Sequence, residues 1–228
     1  MNERGEHLGI YRSPACAAAV RQRHLELLDG RPVPCRRLSV PTREGETFVV
    51  AGGPEDAPPV VVLHGSGSNA ARWRGEIAGW ARHRRGYAVD VIGEPGLSAP
   101  SRPPRGTEAY ALWLDDALRA LSLSRVAMVG ESPGGWRALD YAARRPERVT
   151  RLAVLNPGGV GRQRIGVLLK AIPLRPLGRR RTLLSMLDPA ARDGVRDTAP
   201  GRFALLVSGH LRYRRQRFPC STTPRCGG

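Results

Sequence analysis

Val129-Gly130-Glu131-Ser132-Pro133-Gly134-Gly135-Trp136 is a G-x-S-x-G segment set between an apolar run that starts at Val126 and a helical pattern from Gly134 to Arg144. A strand that turns sharply into a helix lifts the hydroxyl of the central Ser above the end of a sheet, and small flanking residues let the turn close. The five-residue pattern alone is common, so its value rests on this strand-turn-helix setting. Ser132 is the candidate nucleophile.

Working outward, apolar runs alternate with helical patterns. Val60-Val61-Val62-Leu63 reads as a strand, 70–82 as a helix, Tyr87 to Val91 as a strand, 107–121 as a helix, Val126 to Val129 as a strand and Leu152 to Leu155 as another. Continuous apolar strands separated by helices signal a parallel sheet covered on both faces, joined by right-handed crossovers. Upstream, strands at Cys35 to Val40 and Thr47 to Val50 flank the turn Thr42-Arg43-Glu44-Gly45 and predict a hairpin. Before them, Ala17 to Leu28 predicts a helix stopped at Asp29-Gly30. This divides the chain into a helical extension (1–32), an α/β core (33–160), a lid-like helical segment (161–211) and a disordered basic tail (212–228).

Two further motifs stand in order before the Ser. Leu63-His64-Gly65-Ser66-Gly67-Ser68 follows the first buried strand, and Asp90-Val91-Ile92-Gly93-Glu94-Pro95-Gly96-Leu97-Ser98 follows the second. Together with the G-x-S-x-G turn, and with Leu139-Asp140-Tyr141-Ala142 and Arg145-Pro146-Glu147-Arg148-Val149 after it, they resemble the α/β-hydrolase superfamily in its esterase-like branch. The resemblance covers roughly residues 45 to 160. It implies the α/β-hydrolase fold: a mostly parallel sheet, flanking helices and a partial helical lid. It also implies a Ser132 nucleophile and an oxyanion hole at Gly65 and Ser66, with the Ser66 amide as donor. His64 and Asp90 read as structural, holding loops by hydrogen bonds.

Three features depart from that pattern. Pro133 follows the nucleophile, where the family offers a second backbone N–H to the oxyanion, and proline has none. The acid and base of a Ser, acid, His order must lie after Ser132, yet His210 is the one histidine there, with Asp188, Asp193 and Asp197 as candidate orienting acids. The stretch Phe203 to Val207 before Ser208-Gly209-His210 reads either as a short strand that delivers His210 as base or as a lid helix whose His points elsewhere. Finally, the Arg-rich tail from Arg212 to Gly228 has too little aliphatic content to close a sheet. The expectation is a C-terminus truncated or shifted in frame, with the last strands missing.

Composition narrows the classes. The chain has 228 residues, 41% of them hydrophobic, and a formal charge of +17. Residues 161–228 hold 15 Lys plus Arg against three acids, so most of the excess lies in the last third. Arg179-Arg180-Arg181 and the Arg212 to Arg217 cluster therefore suggest an Arg-rich polyanion-binding module as one reading, without the aromatic interleaving that nucleic-acid stacking needs. No run approaches the roughly 18 apolar residues of a membrane span. Cys16, Cys35, Cys220 and Cys226 match no zinc or redox spacing and read as free thiols. The expectation is a cytoplasmic serine hydrolase acting on a carboxylic ester or related small acyl substrate, without metal, cofactor, nucleic acid or transmembrane segment. The alternative within the fold is a catalytically impaired or non-catalytic relative. Oligomeric state is not encoded legibly.

Overall fold

Val60, Val61, Val62 and Leu63 offer no polar side chain to either face of a strand, so water is excluded from both sides only if that strand lies between two layers. In the computed structural model it does. The structure describes residues 9–30, 33–104, 106–158, 203, 206, 207, 210 and 211. Strands β1 (Cys35–Val40), β2 (Thr47–Gly52), β3 (Pro59–Leu63), β4 (Arg85–Val89), β5 (Val126–Glu131) and β6 (Val149–Leu155) form one sheet in the order β1-β2-β4-β3-β5-β6. β3 pairs parallel with β4 and β5, and β5 pairs parallel with β6. The β1–β2 hairpin is antiparallel, as is its junction with β4.

The period-two alternation of side chains separates two cores. Val61, Leu63, Tyr87, Val89 and Met128 face helices α3 (Ala109–Ala120) and α4 (Pro133–Arg144). Val50, Val60, Val62 and Ala88 face helix α1 (Pro14–Asp29) and helix α2 (Arg74–Trp80), packing with Trp73 and with Ile77 of α2. Complete burial of each Val or Leu contributes about 1.5–3 kcal/mol before chain entropy is counted. The N-terminal helix is thus a wall of the second core: Val20, Leu27 and Leu28 are buried, and Ser13 caps its start by accepting from the Cys16 amide.

Two boundaries differ from the sequence reading. The expected helix over 70–82 is a 3-10 turn (Ala70–Trp73), capped by the Asn69 side chain, followed by the short α2. The strand expected over 87–91 runs instead from Arg85 to Val89. Asp90 follows directly, its N–H still donating to the Phe48 carbonyl of β2 at 2.9 Å, while its carboxylate binds two loops.

The lid-like reading of 161–211 and the tail reading of 212–228 lie outside the described residues, apart from five positions, and so does the expected loss of C-terminal strands. Phe203, Leu206, Val207 and His210 are helical, and Leu211 forms an isolated antiparallel bridge with Tyr11. The described residues of that stretch, Phe203, Leu206 and Val207, fall on the helix side of the alternative. Among the described residues, no helix is long and apolar enough to cross a membrane.

Candidate active site

The turn from β5 into α4 is built by what its residues lack. A Cβ at Gly130 would stand 2.5 Å from the Gly134 carbonyl oxygen, and one at Gly134 would stand 2.5 Å from the carbonyl oxygens of both Leu63 and His64. No larger residue fits that crossing of helix over strand. Ser132 sits at the apex with φ 53° and ψ −122°, a conformation that costs a non-glycine residue about 1–3 kcal/mol and persists only where neighbours enforce it. Here they do: its N–H donates to Leu155 at 2.8 Å, and its carbonyl accepts from Trp136 and Gly158, each at 3.2 Å. Pro133 occupies the first helical position, where a missing N–H is harmless to the helix. The extended bias that proline imposes on its predecessor has been overruled by these bonds.

Gly65 and Ser66 come to the same place from the end of β3. A Cβ on Gly65 would be 3.5 Å from the Cβ of Ser132, so the backbone of this turn lies directly against the nucleophile candidate. A cavity of about 320 Å³ opens over both, lined by Gly65, Ser66, Gly67, Ser68, Asn69, Glu131 and Ser132, by apolar Leu27, Ala71 and Phe203, and by Arg72 and Arg74. Arg72 is neutralised, donating to Glu76 at 2.8 Å and pairing with Glu131 at 3.1 Å. Arg74 has no ion pair or side-chain hydrogen bond among the described residues, which leaves a half-buried cation on the wall.

His64 and Asp90, which invite catalytic readings, are fully occupied. His64 Nδ1 donates to the Gly65 carbonyl at 2.8 Å, and Nε2 accepts from the Val91 amide at 2.9 Å, which fixes the neutral tautomer with its proton on Nδ1. Burial holds its pKa below the ordinary histidine value. The Asp90 carboxylate accepts the Ala70 amide at 2.5 Å and the Leu97 amide at 2.8 Å, clamping the loop after β3 to the loop after β4. Gly96 is required beside it, since a Cβ there would meet Oδ2 at 2.3 Å.

His210 is not brought to this cavity. Among the described residues no histidine lines it, and His210 Nδ1 bonds the carbonyl of Leu206, four residues back, at 2.7 Å. The candidate acids Asp188, Asp193 and Asp197 lie outside the described residues.

Sequence reasoning missed Glu94 and Arg137. Glu94, in the loop after β4, accepts the Gly67 amide at 2.9 Å and the Ser66 hydroxyl at 3.3 Å. Arg137, on α4, lies 3.9 Å from its other oxygen and stacks over the Tyr110 ring, 4.6 Å from the centroid. A charged residue among Gly and Ala on a helix carries no mark of burial, so only the acid's place beside the loop motif hinted at a role.

Comparison with known proteins agrees with this architecture. The family model described as alpha/beta hydrolase fold matches residues 58–176. The uncharacterized carboxylesterase nap of Bacillus subtilis (strain 168) is 40% identical over 136 residues, 60% of this chain and 45% of that protein. Carboxylesterase YbfK of the same organism is 37% identical over 126 residues, 55% of this chain and 43% of that one. The crystal structure of carboxylesterase CesB (YbfK) superposes with a TM-score of 0.70 at 29% identity, covering 86% of this chain and 67% of that chain. Matching segments therefore span less than half the length of these curated relatives.

Proposed function

The chain belongs to the alpha/beta hydrolase fold family, and from that premise we propose that it is a serine hydrolase of carboxylic esters or related small acyl compounds. The observation that carries this reading is the juxtaposition of Ser132, in its strained apex conformation, with the Gly65 backbone at the floor of a cavity large enough for a small ester. The carboxylesterases to which the chain is similar support the ester class.

Ser132 Oγ bonds to the acyl carbon while a base takes its proton. The carbonyl oxygen becomes an oxyanion within reach of the Gly65–Ser66 turn, with the Ser66 amide as donor. Expulsion of the alcohol, which recovers the proton, leaves an acyl-enzyme that water cleaves by the reverse sequence. His210 is the base proposed in chain order, and the hydrogen bond from Nδ1 to Leu206 would leave the lone pair on Nε2, the nitrogen a base must use. That assignment requires His210 to reach Ser132 when substrate binds. Apolar Leu27, Ala71 and Phe203 would contact the acyl chain, and Arg74 would favour a chain that ends in an anion.

Hydrolysis of p-nitrophenyl esters by the chain and by Ser132→Ala tests the reading. Loss of turnover and of fluorophosphonate labelling in the variant is expected, and equal rates would end the catalytic proposal. Pro133 favours a second reading, a weakened or non-catalytic member of the family, because it removes one oxyanion donor, a change worth about 10²–10³ in turnover. The Arg clusters that would support polyanion binding lie outside the described residues.

A further inference from the structure

With Pro133 after the nucleophile, the burden of holding an oxyanion falls on the turn at Gly65 and Ser66, and that turn has no secondary structure of its own. What fixes it is a buried carboxylate. Glu94 is 8% exposed, and its Oε2 gathers the Gly67 amide at 2.9 Å and the Ser66 hydroxyl at 3.3 Å. Taking a carboxylate out of water is costly unless a cation and hydrogen bonds replace the lost solvation. Arg137, 3% exposed, supplies the cation: Nη2 lies 3.9 Å from Glu94 Oε1, and the guanidinium is held flat against Tyr110. Arg137 Nε and Nη1 have no hydrogen-bond partner among the described residues. An ion pair so incompletely satisfied is a poor device for stability alone, since an apolar pair of similar volume is often neutral or better. Its topology is informative, because Arg137 stands on α4, the helix that begins at the nucleophile elbow. The pair therefore ties the donor turn directly to the element that carries Ser132.

We infer that Glu94, oriented by Arg137, is a positioning residue that sets the Ser66 amide against the oxyanion formed at Ser132. The inference rests on the ester-hydrolase reading above. A misplacement of about 1 Å in such a site can cost 10²-fold in rate, with little effect on ground-state binding.

The test is steady-state hydrolysis of a p-nitrophenyl ester by the full chain, Glu94→Ala, Glu94→Gln and Arg137→Met, alongside thermal melting and amide hydrogen exchange at Gly67. Glu94→Ala should lower kcat by about 10–100-fold with KM within about threefold, and should speed exchange of the Gly67 amide. Glu94→Gln keeps an acceptor oxygen and should recover kcat to within about fivefold of the parent chain. Should Glu94→Ala fail to fold, Arg137→Met decides: a loss of kcat beyond its loss of folded fraction, with faster Gly67 exchange, supports the role. A parent chain that hydrolyses the ester while all three variants match its kcat overturns the inference alone. A parent chain that neither hydrolyses the ester nor labels at Ser132 overturns the reading beneath it as well.

Discussion

His24, on the N-terminal helix, meets Asp90, at the end of β4, in the interior: Nδ1 lies 3.5 Å from Oδ2, with the two side chains 0% and 1% exposed. Phe48 packs edge-on against the same imidazole, 5.7 Å between centroids. The carboxylate that orders the two loops around the candidate site is thus also where α1 docks. Replacing His24 by Leu should remove a polar neighbour from a buried carboxylate and destabilise the fold by about 1–3 kcal/mol. Urea unfolding measures it. A variant that unfolds at the parent midpoint would mean that α1 is held by its apolar contacts alone.

Pro133→Ala restores a backbone N–H at the residue after Ser132. If the missing donor limits turnover, kcat should rise by about tenfold or more, while KM changes little. The fold should lose about 0.4–1 kcal/mol, because proline at this position restricts the unfolded chain. An unchanged kcat in p-nitrophenyl ester hydrolysis would show that the oxyanion is held without that position.

Arg74 leaves positive charge on the cavity wall, whereas Arg72 is spent on Glu76 and Glu131. A mono-p-nitrophenyl ester of glutaric acid should therefore lose about fivefold in kcat/KM in Arg74→Gln, with the neutral pentanoate ester unaffected. Added salt should reduce the preference of the parent chain. Equal losses for both esters would make Arg74 a packing residue.

Acidification should strike at His64. Its pKa is lowered chiefly by burial, against opposing pulls from Asp90, the Gly65 carbonyl and Glu94, with Arg137 adding to the lowering. The unfolded chain therefore binds the proton first. Stability from this residue is present above the unfolded histidine pKa, about 6.5, and is lost as pH falls, by at most about 1.4 kcal/mol per pH unit. Protonation also removes the Nε2 lone pair that accepts from Val91. Denaturation midpoints between pH 7 and 5 should fall less steeply in His64→Gln, and identical slopes would remove His64 as a source. Asp116 works at lower pH: the Arg43 hydrogen bonds hold its pKa down to about 2, so its contribution is lost only as pH falls below the ordinary carboxylate range.

The parallel sheet, its two covering layers and the apex position of Ser132 were legible because each depends on local periodicity and on glycine spacing. Val60 to Leu63 announces a strand buried on both faces, and Gly130 and Gly134 announce a turn too tight for side chains. His24 left a trace on the buried helix face with Val20, Leu27 and Leu28, but nothing there named Asp90 as its neighbour. The sequence could not say that the Asp90 carboxylate would bind two loops, that Glu94 would reach back 27 residues to the Gly67 amide, or that helical His210 would bond to Leu206. Those outcomes turn on which buried charge finds which donor once loops distant in sequence have met. Only the tertiary structure decides them, because a carboxylate's partners are chosen by desolvation and distance, which one-dimensional spacing does not contain.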